Sequence, residues 1–326
     1  MPIRAILAAS AILAMAAAVS AGCAERGPGA TAAGCAARYS RRGAQVTIAV
    51  QAAEAATLVV SATAPGSVLR FEDPAFAGAD TLTVPSQAVG TITVTVKAKG
   101  TVRGCPVRAG TVGTGSPPAR ALGPRVLAIG DSLTAQAAAA LTDELAQRQA
   151  VTLVMGVSGS GLVSGFDWLA PAATLVAGFH PTVAVAEFIG NYPDPKLTTA
   201  ASGSPVAAGT DPWVATWMQQ ADRLTGVLRA GGGRVGWVLG PPMLNPAIDA
   251  VVDRLNSAYA ARAAPPTIEL IDEHTPFADA EHNFTATAEQ SPVLIRTPDG
   301  VHLADGGCRL WAETMARRLH ELAVVG

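Results

Sequence analysis

Between Gln45 and Ala98 apolar and polar residues alternate in short runs: QVTIAVQ, ATLVVSA, SVLRF, DTLTVP and GTITVTVKA. Each run is rich in Val, Thr and Ile, and Pro-Gly, Asp-Pro or Gly signals separate them. A period of two broken by turn residues predicts half-buried antiparallel strands. No helix of ordinary length fits, so residues 36–112 are expected to form a small all-β, Ig-like sandwich. After Pro124 the texture changes. Continuous apolar runs, RVLAI (125–129), VTLVMG (151–156), VAVAEFI (183–189), RVGWVLG (234–240) and TIELI (267–271), are each short enough for a strand buried on both faces. Helical patterns lie between and after them, at 134–148, 212–230, 246–262 and 305–322. Such alternation predicts an α/β domain over 123–326 with a five-stranded parallel sheet, helices on both faces and active groups outside the carboxyl ends of the strands.

The remaining segments read as connections and address. Arg4 followed by an apolar run from Ala5 to Val19 fits an export signal over 1–22 and is too short for a membrane span. Val19-Ser20-Ala21 suits ordinary cleavage, whereas Ser20-Ala21-Gly22-Cys23 resembles a bacterial lipobox and would lipidate Cys23. AERGPGATAAG makes 23–35 a flexible tether, and the Gly, Ser and Pro of GTGSPPARALGP make 113–122 an interdomain linker. Of the four cysteines, Cys35 and Cys105 bracket the β block and are natural disulfide partners in an exported chain. Cys308 lies on the apolar side of the last helix and reads as a small buried hydrophobe. Cys23 is then left for a lipid, with a Cys23 to Cys308 disulfide as the rival. The expected location is the bacterial cell envelope or the medium.

Composition narrows the function classes. The 326 residues leave room for about two domains. A formal charge of −2, with 15% charged residues against 49% hydrophobic, gives no reason to expect nucleic acid as a partner. The β block holds few rings, Tyr39, Phe71 and Phe76, so it reads as a spacer or docking module and not as a sugar-stacking face.

Candidate chemistry begins at LAIGDSLT (127–134), where a strand runs into Ser132 and a helical pattern follows. A serine hydroxyl is a weak nucleophile until a base takes its proton. Of the five histidines, His180, His274, His282 and His320 lie beside a proline, in a charged loop or on a polar helix side. His302 stands in RTPDGVHLADGG, three residues after Asp299 and just before the last helix. That spacing lets one turn present a carboxylate to one imidazole nitrogen while the other faces a serine. Taken singly, a serine before a helix is ordinarily an N-cap and Asp-x-x-His an ordinary local hydrogen bond.

The combination resembles the SGNH, or GDSL, hydrolase family over residues 123–326. Its motifs stand here as Gly130-Asp131-Ser132-Leu133, as Gly159 in GVSGSGL, as Gly190-Asn191 in EFIGNYP and as Asp299-Gly300-Val301-His302. The resemblance implies a flavodoxin-like three-layer α/β/α fold, with Ser132 as nucleophile, His302 as general base and acid, and Asp299 as its orienting partner. The N–H groups of Ser132 and Gly159 and the amide of Asn191 would form the oxyanion hole, with Gly161 an alternative to Gly159. Here Asn191 directly follows Gly190, and Tyr192 replaces the family's acid. A dinucleotide fingerprint in GVSGSGLVSG fails in spacing at Gly165 and follows the second strand.

Phe166 and Trp168, with Tyr192, are candidates to line an acyl or sugar pocket. Asp272, Glu273 and His274 read as solvated loop charges, and neither metal nor cofactor is expected. The expected function is an exported serine esterase acting on an acylated envelope glycan, a lipid or a small ester through an acyl-Ser132 intermediate. An O-acyltransferase using the same triad and a non-catalytic binding scaffold are the alternatives.

Overall fold

The computed structural model describes residues 34–98, 101–112, 123–163, 166–189, 206–264, 268–289 and 291–322. The signal, Cys23 and the 113–122 linker lie outside the described residues, as does the tether apart from its last two residues, Gly34 and Cys35.

The five apolar runs after Pro124 form β7 (Arg125–Gly130), β8 (Val151–Val157), β9 (Val183–Glu187), β10 (Arg234–Leu239) and β11 (Ile268–Asp272). They pair in parallel in the order β8-β7-β9-β10-β11, the doubly wound order that places a crevice at the carboxyl end of the first strand. Side chains alternate faces along each strand. Val126, Ala128, Val154, Val183 and Val185 pack with α1 (Ser132–Gln147) and α5 (Asp305–Glu321). Leu127, Ile129, Leu153, Met155, Ala184 and Ala186 face the other way, toward α2 (Leu169–Phe179), α3 (Asp211–Arg229) and α4 (Pro246–Ala260). Four of these helices match the periodic segments. α2 lacks a polar stripe, and its Pro171 and Gly178 mask it in the sequence; the proline sits in the first turn, where its missing N–H costs nothing.

The expectation of a separate Ig-like sandwich is corrected. β1 (Cys35–Arg42), β2 (Gln45–Ala64), β3 (Ser67–Pro85), β4 (Thr91–Ala98), β5 (Thr101–Gly104) and β6 (Val107–Ala109) do form an all-β block. However, Ser67–Glu72 of β3 pair antiparallel with Val157–Thr152 of β8, so one mixed sheet runs through the molecule. Phe71 meets Phe179 of α2 edge to face at 6.3 Å. Arg70 donates to Thr142 of α1 at 2.6 Å and pairs with Asp143 at 3.1 Å. The reason is that β3 buries apolar residues on an edge its own block leaves open, and β8 and two helices close it. β2 and β3 each fuse two of the expected short strands. Their pairing shifts register between Ala52 and Leu58, opposite the Asp73-Pro74 stretch, so the proline falls where the ladder is already broken.

Cys35 and Cys105 are joined by a disulfide spanning a sequence separation of 70 residues. Replacing both with serine is expected to cost about 2–4 kcal/mol by restoring loop entropy to the unfolded chain. Thermal denaturation checks it, and an unchanged transition would count against a stabilising role. Cys308 is buried in α5 and is not a free thiol, which corrects its reading as a plain hydrophobe. No helix among the described residues is long and apolar enough to cross a membrane.

Candidate active site

Ser132 is the first residue of α1, at the carboxyl end of β7 in the middle of the sheet. Asp131 caps the helix, its Oδ1 accepting the Leu133 N–H at 3.0 Å and its Oδ2 the Ile189 N–H at 3.2 Å. The first N–H groups of a helix have no intrahelical acceptor and form its positive end, so the hydroxyl sits where donors are already in place. Gly130 allows this crowding: a Cβ there would lie 2.2 Å from the Thr134 hydroxyl and 2.7 Å from Glu187 Oε2.

His302 reaches this corner from the loop before α5. Its Nε2 is 3.1 Å from Ser132 Oγ and its Nδ1 is 2.6 Å from Asp299 Oδ2. The other carboxylate oxygen of Asp299 accepts the N–H groups of Val301 and His302 at 2.9 and 3.0 Å and the Thr297 hydroxyl at 2.7 Å. Partial burial pushes the Asp299 carboxyl up, but hydrogen bonds from the His302 ring, the His302 N–H, Thr297 and Val301 outweigh it and hold it well below the usual carboxylate range. An ionised Asp299 accepts a hydrogen bond from Nδ1–H, which keeps the ring proton on Nδ1 and leaves Nε2 as an acceptor toward the hydroxyl.

Two residues that the sequence did not single out hold the loop in place. Gln136, one turn along α1 from Ser132, accepts the Leu303 N–H at 3.1 Å. Arg296 is 2% exposed and donates to the carbonyls of Val301 and Pro242, each at 2.6 Å. Burial lowers its pKa to about 10, against the opposing charges of Asp299 and Asp249. Gly300 turns the loop at φ +69°, where a Cβ would lie 2.1 Å from that of Leu244. Gly300→Ala is expected to strain the turn by about 1–2 kcal/mol. The result should be a lower kcat with little change in KM, read from steady-state kinetics.

Beneath the corner lie acids in an apolar setting. Glu187 ends β9, fully buried, and burial and the neighbouring Asp131 charge push its carboxyl well above the usual range. Glu273, just after β11, is raised by burial first and by Asp272 second. It is 0% exposed, so the solvated-loop reading does not hold for it. Asp272 behaves as a loop cap, accepting from the N–H groups of His274 and Thr275 and from the Thr275 hydroxyl. Among the described residues no group of three or more His, Cys, Asp or Glu side chains is arranged to hold a metal ion.

The other sequence candidates are placed as follows. Gly159 lies in the turn after β8 with φ +75°. Trp168 is 3% exposed, donates to Ser160 Oγ at 3.2 Å, packs edge to face on Phe188 and forms a largely buried part of the wall of the cleft that Phe166 also lines. Phe166 is partly buried and, with Asp167, Leu162, Gln220 and Arg223, lines a cleft of about 470 Å³ whose walls include neither Ser132 nor His302. Asn191 and Tyr192 lie outside the described residues.

Residues 125–318 match the family described as "Protein of unknown function (DUF459)". The chain belongs to DUF459. Solved structures similar to this DUF459 member include a GDSL-like lipase from Bacteroides thetaiotaomicron, 15% identical over 60% of this chain and 88% of that one, with a TM-score of 0.43. A family two carbohydrate esterase from Clostridium thermocellum, solved with cellohexaose, is 13% identical over 86% of this chain and 93% of that one, with a TM-score of 0.42. A carbohydrate esterase family 3 structure from Talaromyces cellulolyticus is 14% identical over 61% and 97% of the two chains, with a TM-score of 0.39. No curated protein matches the chain.

Proposed function

We propose that the protein is a serine ester hydrolase whose nucleophile is Ser132. The observation that carries this reading is the continuous relay from Ser132 Oγ through His302 to Asp299, at 3.1 and 2.6 Å. Ser132 Oγ attacks the ester carbonyl carbon while its proton passes to His302 Nε2. The tetrahedral oxyanion is held by the Ser132 and Gly159 N–H groups and, as the family resemblance implies, by the Asn191 amide; each such donor is worth ~3–4 kcal/mol when removed singly. The intermediate collapses as the ester C–O bond breaks and the imidazolium returns the proton to the leaving alcohol. Water then attacks the acyl-Ser132 carbonyl, giving its proton to Nε2, and the acid departs as Ser132 recovers its own.

Export and an acylated envelope glycan, lipid or small-ester substrate belong to the same proposal. The apolar run from Ala5 to Val19 and the Cys35 to Cys105 disulfide support an oxidising destination. The test is to incubate the purified chain with p-nitrophenyl acetate and with a fluorophosphonate probe, and to map the adduct by mass spectrometry. Turnover with one adduct on the peptide carrying Ser132 is expected. A folded protein showing neither would favour the binding-scaffold reading, and acyl transfer to an added sugar in preference to water would favour the transferase.

A further inference from the structure

Glu187 closes an otherwise apolar strand, and its side chain is enclosed beneath the turn that carries Ser132. Oε2 is crowded with donors: the Thr134 hydroxyl at 2.8 Å, the Thr134 N–H at 3.2 Å and the Asp131 N–H at 3.3 Å. Oε1 is buried and has no hydrogen-bond partner, and the neighbouring charge that acts on Glu187 is the Asp131 carboxyl. Both Asp131 oxygens already accept N–H groups, from Leu133 and Ile189. Two neighbouring carboxylates in a dry site repel each other, which favours a proton on the enclosed one. Oε1 is the one oxygen of the four that no N–H or O–H approaches, so a proton there competes with no donor.

We propose that Glu187 is a positioning residue for Ser132: held as the neutral acid, it accepts through Oε2 from Thr134 and from the Asp131 N–H, bracing the nucleophile turn against the end of β9. This rests on the reading of Ser132 as the nucleophile. The groups facing the pair are Asp131 from the β7 to α1 turn, Glu273 from the end of β11 and the Tyr259 hydroxyl from α4, none of them a cation. Burial and the Asp131 charge both favour the protonated form. Loss of that proton would set two carboxylates against each other below Ser132 and spread the turn.

The experiment compares wild type, Glu187→Gln and Glu187→Leu, reading kcat and KM for p-nitrophenyl acetate and Tm across pH. Glutamine keeps an acceptor for Thr134 and the Asp131 N–H, but has no proton to lose. Its kcat should stay within about threefold of wild type near neutrality, and any alkaline fall in wild-type kcat due to this proton should be missing. Leucine fills the space without either bond, so kcat should fall about tenfold or more with KM little changed.

The Tm comparison is independent of catalysis. The raised carboxyl contributes stability that is fully present below its unfolded value of 4.5 and is lost as pH rises toward its folded value. The Tm of Glu187→Gln minus that of wild type should therefore grow steadily as pH rises above about 4.5. Parallel Tm curves would show Glu187 ionised in the folded protein and overturn the proposal, as would wild-type kcat in Glu187→Leu. If Glu187→Leu fails to fold, the glutamine variant alone decides through its pH curves. If wild type neither turns over nor labels while the Tm difference still grows, the acyl reading falls and the protonated brace stands.

Discussion

Ser132→Ala is expected to lower kcat on p-nitrophenyl acetate by about 10⁴-fold or more, and to abolish the fluorophosphonate adduct, with the fold intact. Ser132 carries the hydroxyl that His302 Nε2 meets at 3.1 Å, and among the described residues no other nucleophile hydrogen-bonds to that nitrogen. Structural side effects should be small. Asp131 still caps the helix through the Leu133 N–H, alanine is the best helix former for position 132, and the one lost hydrogen bond is to a partly exposed imidazole. Residual rate would come from the oxyanion donors and from substrate binding. Initial rates, intact mass after probe treatment and far-ultraviolet circular dichroism check the three parts. Turnover in the alanine variant equal to wild type would remove Ser132 from the proposal.

Asp299→Asn is the second large effect, and its expected cost is about 10⁴-fold in kcat. One oxygen of Asp299 faces Nδ1 of His302, and the other accepts two backbone N–H groups and the Thr297 hydroxyl. An asparagine must turn its NH₂ toward one side. Facing the ring, it donates to Nδ1 and forces the imidazole proton onto Nε2, so that a donor meets Ser132 where an acceptor is needed. Facing the backbone, it sets donor against donor and the Asp299–His302 turn opens. In the first case kcat falls while KM holds, because the lost interaction is made in the transition state. In the second, Tm falls too. A rate unchanged by the substitution would show that Asp299 neither orients nor charges the ring.

The readings that came through from the sequence share a physical basis: they rest on short-range constraints. The runs at 125–129 and 183–189 are apolar on both faces, so they had to be interior strands. The Asp299–His302 contact is legible because three residues of one tight turn can hardly avoid each other. α2 was missed because its exposed face is made of Ala170, Ala173 and Ala177, so no polar stripe marks the helix. β1 was missed because CAARYSRR alternates too weakly to stand out, and its whole length becomes a strand through pairing with β2. Glu187 did leave a trace, a lone acid ending VAVAE, but a charge at a strand end carries no direction until its neighbours are known.

What the linear order determined was the alternation of strand and helix after Pro124, the all-β texture before Cys105 and the local geometry of each catalytic candidate, since these depend on the side-chain periods of two and 3.6 residues. Only tertiary structure decided that β3 would leave its own block to pair with β8. It alone brought Ser132 and His302, 170 residues apart, to within 3.1 Å, and seated Glu187 beneath the Ser132 turn against the Asp131 and Thr134 donors. Edges, crevices and buried charges are settled by which surfaces remain uncovered once every element has formed, and that is a property of the whole chain packed together.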